Sequence, residues 1–259
     1  MVPEIVPLPA TNFSPHSLAP VERTYSEWLN SDFSQGDGVD MGGRFGSPGQ
    51  TFVSDCQDCH MPKTTAKVAN RPRRVNAKDG FAKHQMIGPN TVMLSLLRDN
   101  ASRLDVTSQE LDLGIERGRA LLQSAASVDI LSASIADGML EARVRVENHA
   151  GHKAPTSYPS RRMWLHFQVT DGNDQVIFES GAIDAYGAIA GADNDVDQTT
   201  IEPHYSLITS ADQVQIYETL MSDSDGNITY TLLRGAYYLK DNRLTPQGFD
   251  KLNVPSDVA

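Results

Sequence analysis

The pentapeptide Cys56-Gln57-Asp58-Cys59-His60 decides how the first half of this chain folds, and both cysteines of its 259 residues lie inside it. Two thiols separated by two residues and followed at once by a histidine form the attachment signature of a c-type haem. The thiols add across the two vinyl groups of one porphyrin, and the adjacent imidazole is placed beneath the iron as its proximal ligand. A segment built on that chemistry needs little regular structure, because the macrocycle itself serves as the core.

Other readings of the same residues explain less. A structural zinc site wants four ligands, and the chain has no second cysteine pair to complete one. A thioredoxin-like redox pair sits between a strand and a helix, whereas the flank here, "GGRFGSPGQTFVSD", is glycine-rich coil. A disulfide between residues three apart closes a tiny loop and constrains little unfolded-state entropy.

Outward from the motif, residues 1–126 read as a loop-rich, haem c-binding region with short helices. Prolines at positions 3, 7, 9, 15 and 20 keep the first segment extended. "VERTYSEWLNSDF" places Tyr25, Trp28 and Leu29 at helical spacing. "NTVMLSLLRD" opens on Asn90 as a helix cap. Thr107 and Glu110 form a capping-box pattern, ahead of a helix with Leu111, Ile115, Gly118 and Leu122 on one face.

From about residue 127 the period changes to two. "MLEARVRVEN" alternates Leu140, Ala142, Val144 and Val146 against Glu141, Arg143 and Arg145, and "MWLHFQV" alternates Met163, Leu165, Phe167 and Val169 against Trp164, His166 and Gln168. Turn signals at 136–138, 171–174 and 223–227 separate the strands. The expected fold class is α+β, mainly β, with residues 127–259 forming an immunoglobulin-like β-sandwich.

The net charge of −11 argues against nucleic acid or an anionic membrane as partner. No apolar run is long enough to span a bilayer. The start, "MVPEIVPLPATNFSPHS", lacks the basic and apolar regions of a secretory signal, although haem is joined to CxxCH after export. The expectation is an extracytoplasmic protein, periplasmic or at the cell surface, from which a signal has been removed or, the favoured reading, whose chain begins partway into a longer one.

An iron held by His60 has one more axial position. His84, in "FAKHQMIGPN", lies far enough beyond His60 for the chain to fold back over the ring, and is the favoured distal ligand. His152, in "NHAGHKAPT", is the alternative, followed by His16, a methionine or an open site. Met61 is too close to His60 to reach the opposite face. His166 reads as a surface residue on its strand, and His204 as a loop residue.

The segments "ERTYSEWLNSDF", "CQDCHMP", "KHQMIGPNTVML", "NHAGHKAPTSYPSRRMWLHFQVTDGNDQVIFESG" and "DQVQIYETLMSDSDGNITYTLLRGAYYLKDNRLTPQGF", in this order, resemble the C-terminal part of the large extracytoplasmic multihaem c-type cytochromes. The resemblance runs from about residue 20 to residue 250. It implies Cys56, Cys59 and His60 as the attachment set and His84 and His152 as haem ligands, to the same or to different haems. Such relatives carry further CxxCH motifs ahead of the "ERTYSEW" segment. This chain has one motif, which implies a truncated product or a lineage that kept one haem.

The expected function is electron transfer through one covalent haem c iron, with other redox proteins or cytochromes as partners and association with further haem-bearing domains. A haem enzyme is the alternative: an open axial site would reduce a nitrogen or oxygen species, and "RPRR" at 71–74 or the Arg161-Arg162 pair would bind the anion. A third reading is a cell-surface binding module with a vestigial haem site, marked by Tyr186, Tyr237 and Tyr238. The acidic stretches "GADNDVDQ" and "DSDGN" do not match a calcium loop and read as solvated turns.

Overall fold

The computed structural model describes residues 22–46, 49–67, 69, 75–156, 161–255 and 258. The chain divides into two compact units. One comprises Met1–Glu27, His152–Thr245 and Asp250–Ala259, and the other Trp28–Gly151 and Pro246–Phe249. The junction expected at 126/127 falls inside the second unit, where a helix runs directly into a strand. Helices and strands are mixed, with the helices concentrated ahead of residue 126.

The first element is the short helix α1 (Thr24–Leu29). Of its expected apolar face only Trp28 packs inward: Tyr25 and Leu29 are exposed, and Glu27 is the residue with no solvent exposure. The physical reason is a buried charge cluster in the first unit. Glu27 accepts the Lys153 backbone N–H at 3.0 Å and pairs with Arg243 at 2.9 Å. Asp241 in turn pairs with Lys153 at 3.0 Å and Arg243 at 2.8 Å. Burial pushes the Glu27 carboxyl up, against the pull of the two cations.

The second unit opens with β1 (Val39–Asp40) and β2 (Phe52–Val53), antiparallel with Val39 opposite Val53. Gly38 makes this ladder achievable: its φ is +81°, and a Cβ there would stand 2.1 Å from the Val53 carbonyl oxygen. Phe33, Val39 and Val53 form the buried core, with Trp28, Met41, Phe45 and Cys59 packed against it. Helix α2 (Cys56–His60) follows, then the antiparallel pair β3 (Lys63–Ala66) and β4 (Lys78–Ala82).

Helices α3 (Thr91–Asp99), α4 (Ala101–Leu104) and α5 (Ser108–Ala125) come next. Asn90 caps α3 as expected, accepting the Met93 N–H at 3.3 Å. Thr107 is the N-cap residue of α5, but its side chain makes no capping bond. Ile115 and Gly118 are buried on the expected face, while Leu122 is exposed. A Cβ on Gly118 would lie 3.0 Å from the Gly88 carbonyl and 3.3 Å from Thr91 Cγ2, so the bare glycine lets α5 approach the start of α3 closely. The unit continues with the long hairpin β5 (Ala126–Ala136) and β6 (Met139–Asn148), turned by Asp137 and Gly138 at positive φ.

In the first unit, β7 (Arg162–Trp164), β8 (Phe167–Thr170), β9 (Val176–Ser180), helix α6 (Asp193–Val196), β10 (Ile216–Ser222), β11 (Ile228–Thr229) and β12 (Tyr237–Asp241) follow in order. Strand β10 is the centre of a four-stranded sheet, with β7 and β11 along one edge and β12 along the other. Strands β8 and β9 form a separate hairpin. An immunoglobulin-like sandwich pairs two sheets of three or four strands each; among the described residues the strands beyond residue 125 pair as one four-stranded sheet and two hairpins.

The run "MWLHFQV" is therefore two strands, not one. After Trp164 the chain leaves β10 and pairs with β9, which turns Trp164 toward the core of Ile189, Ala192, Val214 and Ile216. Its indole Nε1 donates to the Gly181 carbonyl at 3.0 Å.

Candidate functional site

Helix α2 is the CxxCH motif itself, and its short length follows from what holds each end. Asp55 is extended at the N-cap, and Asp58 Oδ2 accepts the backbone N–H groups of Ser54 (3.0 Å) and Asp55 (3.2 Å). Asp58 Oδ1 takes the Lys63 ammonium at 2.6 Å. Although burial alone would push it up, the bonds from Lys63 and from these N–H groups bring the Asp58 carboxyl down to about 2. Trp28 Nε1 donates to the Ser54 carbonyl at 2.8 Å, fixing the approach to the helix.

One helical turn places positions i, i+3 and i+4 on one face, so Cys56, Cys59 and His60 project together. Both cysteines are free thiols, Cys56 exposed and Cys59 half-buried. Burial, reinforced by the nearby Asp58 and Cys56, pushes the Cys59 thiol up to about 12. His60 Nδ1 lies 2.6 Å from the Ile87 carbonyl oxygen. A carbonyl can only accept, so Nδ1 carries the proton and Nε2 is the nitrogen with a lone pair for a metal. The donor set of two thiols and one Nε2-presenting imidazole fits a c-type haem.

The other candidate ligands are placed as follows. His84 is exposed, in the turn after β4, and has no hydrogen-bonding partner among the described residues. It shares its segment with Ile87, whose N–H donates to the His60 carbonyl at 2.9 Å. His152 belongs to the first unit, half-buried, with Nδ1 3.0 Å from the Lys153 carbonyl. His16 and the "RPRR" stretch lie outside the described residues.

His166 is at the surface, 2.8 Å from Glu179. His204 Nδ1 faces the amides of Gln215 (3.0 Å) and Asn242 (3.1 Å). Arg162 is committed to Asp195, at 2.6 and 3.2 Å, and Arg161 donates to the Thr156 carbonyl. Among the described residues no cluster of three or more His, Cys, Asp or Glu side chains is arranged to hold a bare metal ion.

Sequence reasoning missed two features. The pairing of Asp58 with the Ser54 and Asp55 amides was readable from the Asp55-x-x-Asp58 spacing. The "GADNDVDQ" segment is not a solvated turn: Asn194 is buried, and Asp195 binds both Arg162 and the Ile189 N–H. "DSDGN" is an exposed turn as expected, with Asp223 Oδ1 accepting the Asp225 and Asn227 N–H groups.

No family model matches the chain, and no curated protein matches it. Among solved structures it is similar to a penta-heme cytochrome c552 from Thermochromatium tepidum, with 20% identity over 84% of this chain and 40% of that one, and a TM-score of 0.40. The chain thus spans about two fifths of that protein's length.

Proposed function

We propose that the chain is an extracytoplasmic electron-transfer protein carrying one haem c, attached through Cys56 and Cys59 and ligated by His60 Nε2. The observation that carries this reading is the His60 to Ile87 hydrogen bond, which sets the tautomer that metal ligation requires on a helix face already bearing two free thiols. The bound haem supplies a one-electron ferric/ferrous couple. The protein's part is to orient the imidazole, hold Asp58 ionised behind it, and exclude water with the Phe33 cluster. Phe52, Phe81 and Met86, in the strands and turn bordering the motif, are exposed apolar side chains that a macrocycle would cover.

His84 is the proposed distal ligand, and its exposed ring supports that role. His152 is the alternative, to this haem or to another. Redox proteins are the proposed partners, with the strand-rich residues 127–259, an immunoglobulin-like domain in this proposal, as the docking part. The exposed apolar side chains of α3 (Val92, Met93, Leu96) and of the β5–β6 hairpin support contact with further haem-bearing domains. Among the described residues no helix is long and apolar enough to cross a membrane.

Export from a host with cytochrome maturation machinery tests the reading. Intact mass is expected to show one haem bound irreversibly, and potentiometry a reversible one-electron wave. Bare polypeptide mass from that host overturns it. A haem that binds nitrite or cyanide promptly in its ferric form would favour the enzyme with an open axial site.

A further inference from the structure

The first unit holds a cavity of about 350 Å³, within the roughly 300–1,000 Å³ typical of small-ligand sites. Its lining includes Arg162, Asn194, Asp195 and Glu218, with Tyr186 and Tyr230. We propose that this cavity binds a neutral saccharide, with Tyr186 as its stacking platform. The haem plays no part in the argument, and the proposal stands or falls independently of it.

Charge sets the ligand class. Arg162 is paired in bidentate fashion with Asp195, and Glu218 with Lys240 at 2.9 Å. Each charged side chain of the cavity thus already has a counter-ion, within the lining for Arg162 and Asp195 and just outside it for Glu218, so an anion or a cation finds no uncompensated partner. What they offer is directional: planar guanidinium, carboxylate and amide groups able to donate and accept in pairs, which suits the adjacent hydroxyls of a sugar.

Asn194 supplies the second observation. It is 3% exposed, yet its side-chain contacts, to Arg162 Nη1 and to Glu218 Oε1, are both 3.5 Å long. A buried amide with such weak bonds has donor and acceptor capacity left for a ligand. No nearby cluster of three metal-ligating side chains exists among the described residues to use it instead.

The platform is built in advance. Tyr186 is 97% exposed, at the tip of a tight loop closed by Asp184, whose Oδ1 accepts the Tyr186 and Ala188 N–H groups at 2.8 and 2.9 Å. The Ile189 N–H then donates to Asp195 Oδ2 at 2.7 Å. One carboxylate therefore ties the aromatic loop to Arg162. An unshielded tyrosine face on a rigid loop costs little ordering entropy when the apolar face of a pyranose stacks on it.

The test uses the full-length exported protein and a panel of neutral disaccharides (cellobiose, maltose, mannobiose, lactose and N,N′-diacetylchitobiose), read by saturation-transfer NMR and calorimetry. At least one is expected to bind with a dissociation constant on the order of 1 mM. Tyr186→Ala, at a fully exposed position, is expected to weaken it about tenfold, and Gln198→Ala, which removes one polar group from the cavity wall, to weaken it less. No binding by any member at about 10 mM, unchanged affinity in Tyr186→Ala, or binding only of acidic sugars would each overturn the proposal.

Discussion

His60 and Ile87 are bonded twice: the imidazole Nδ1–H donates to the Ile87 carbonyl at 2.6 Å, and the Ile87 N–H donates to the His60 carbonyl at 2.9 Å. Side chain and backbone of the proposed iron ligand are thereby fixed to one segment. That segment continues through Gly88, whose carbonyl lies where a Gly118 side chain would be. The position of α5 is therefore linked mechanically to the orientation of the His60 ring.

Gly118→Val follows from this. A Cβ alone would stand 3.0 Å from the Gly88 carbonyl, tighter than ordinary contact, and the branched methyls add bulk around it, so α5 or the Gly88 segment must move. We expect a stability loss of about 1–3 kcal/mol by denaturant titration. We also expect a shifted midpoint potential in the haem-loaded protein, because a displaced Ile87 carbonyl no longer supports the imidazole. A destabilised variant with an unchanged potential would show that α5 packing does not reach His60.

Asp58→Asn probes the base of the same helix. Asp58 is 5% exposed and serves two backbone N–H groups and the Lys63 ammonium at once. With its carbonyl oxygen in the Oδ2 position asparagine keeps both N–H groups, but its NH2 then faces the Lys63 ammonium donor to donor and the ion pair is lost, while Lys63, which is partly exposed, can regain water. The expected cost is about 1–3 kcal/mol, measured as a drop in urea midpoint with unchanged slope. Lys63→Met should cost less, since the carboxylate keeps both backbone donors and no amide NH2 is set against an ammonium.

What the sequence disclosed and what it hid divide along a physical line. The Asn90 cap, the Asp137-Gly138 turn and the alternation of β6 from Ala142 to Val146 are local signals, and each is present where the residues placed it. The outer face of α1 and the inward Trp164 depart from the local pattern because each is set by distant partners: Arg243 and Lys153, which draw Glu27 inside, for one, and a change of strand partner for the other. The cavity lining brings Arg162 to Asp195 and Asn194 from more than thirty residues away, so no spacing rule could announce it. Alternation places Leu140 of β6 with the inward residues, yet it is 41% exposed.

His149 gives the second unit a pH dependence. It is 7% exposed, with Nε2 2.9 Å from Ser127 Oγ. Burial foremost, and then the nearby Arg44, hold its imidazole below the ordinary value of 6.5. The unfolded chain therefore takes up the proton at a higher pH than the folded one. Above 6.5 both states are neutral and stability is at its full value; as pH falls below 6.5 the unfolded state is favoured by protonation until the folded ring also titrates. Thermal melts are expected to show a midpoint that falls from pH 7 to pH 5. His149→Gln, which keeps a hydrogen-bonding group toward Ser127 but cannot titrate, should flatten that part of the profile. An equally steep profile in the variant would assign the pH dependence to other groups and leave His149 a purely structural contact.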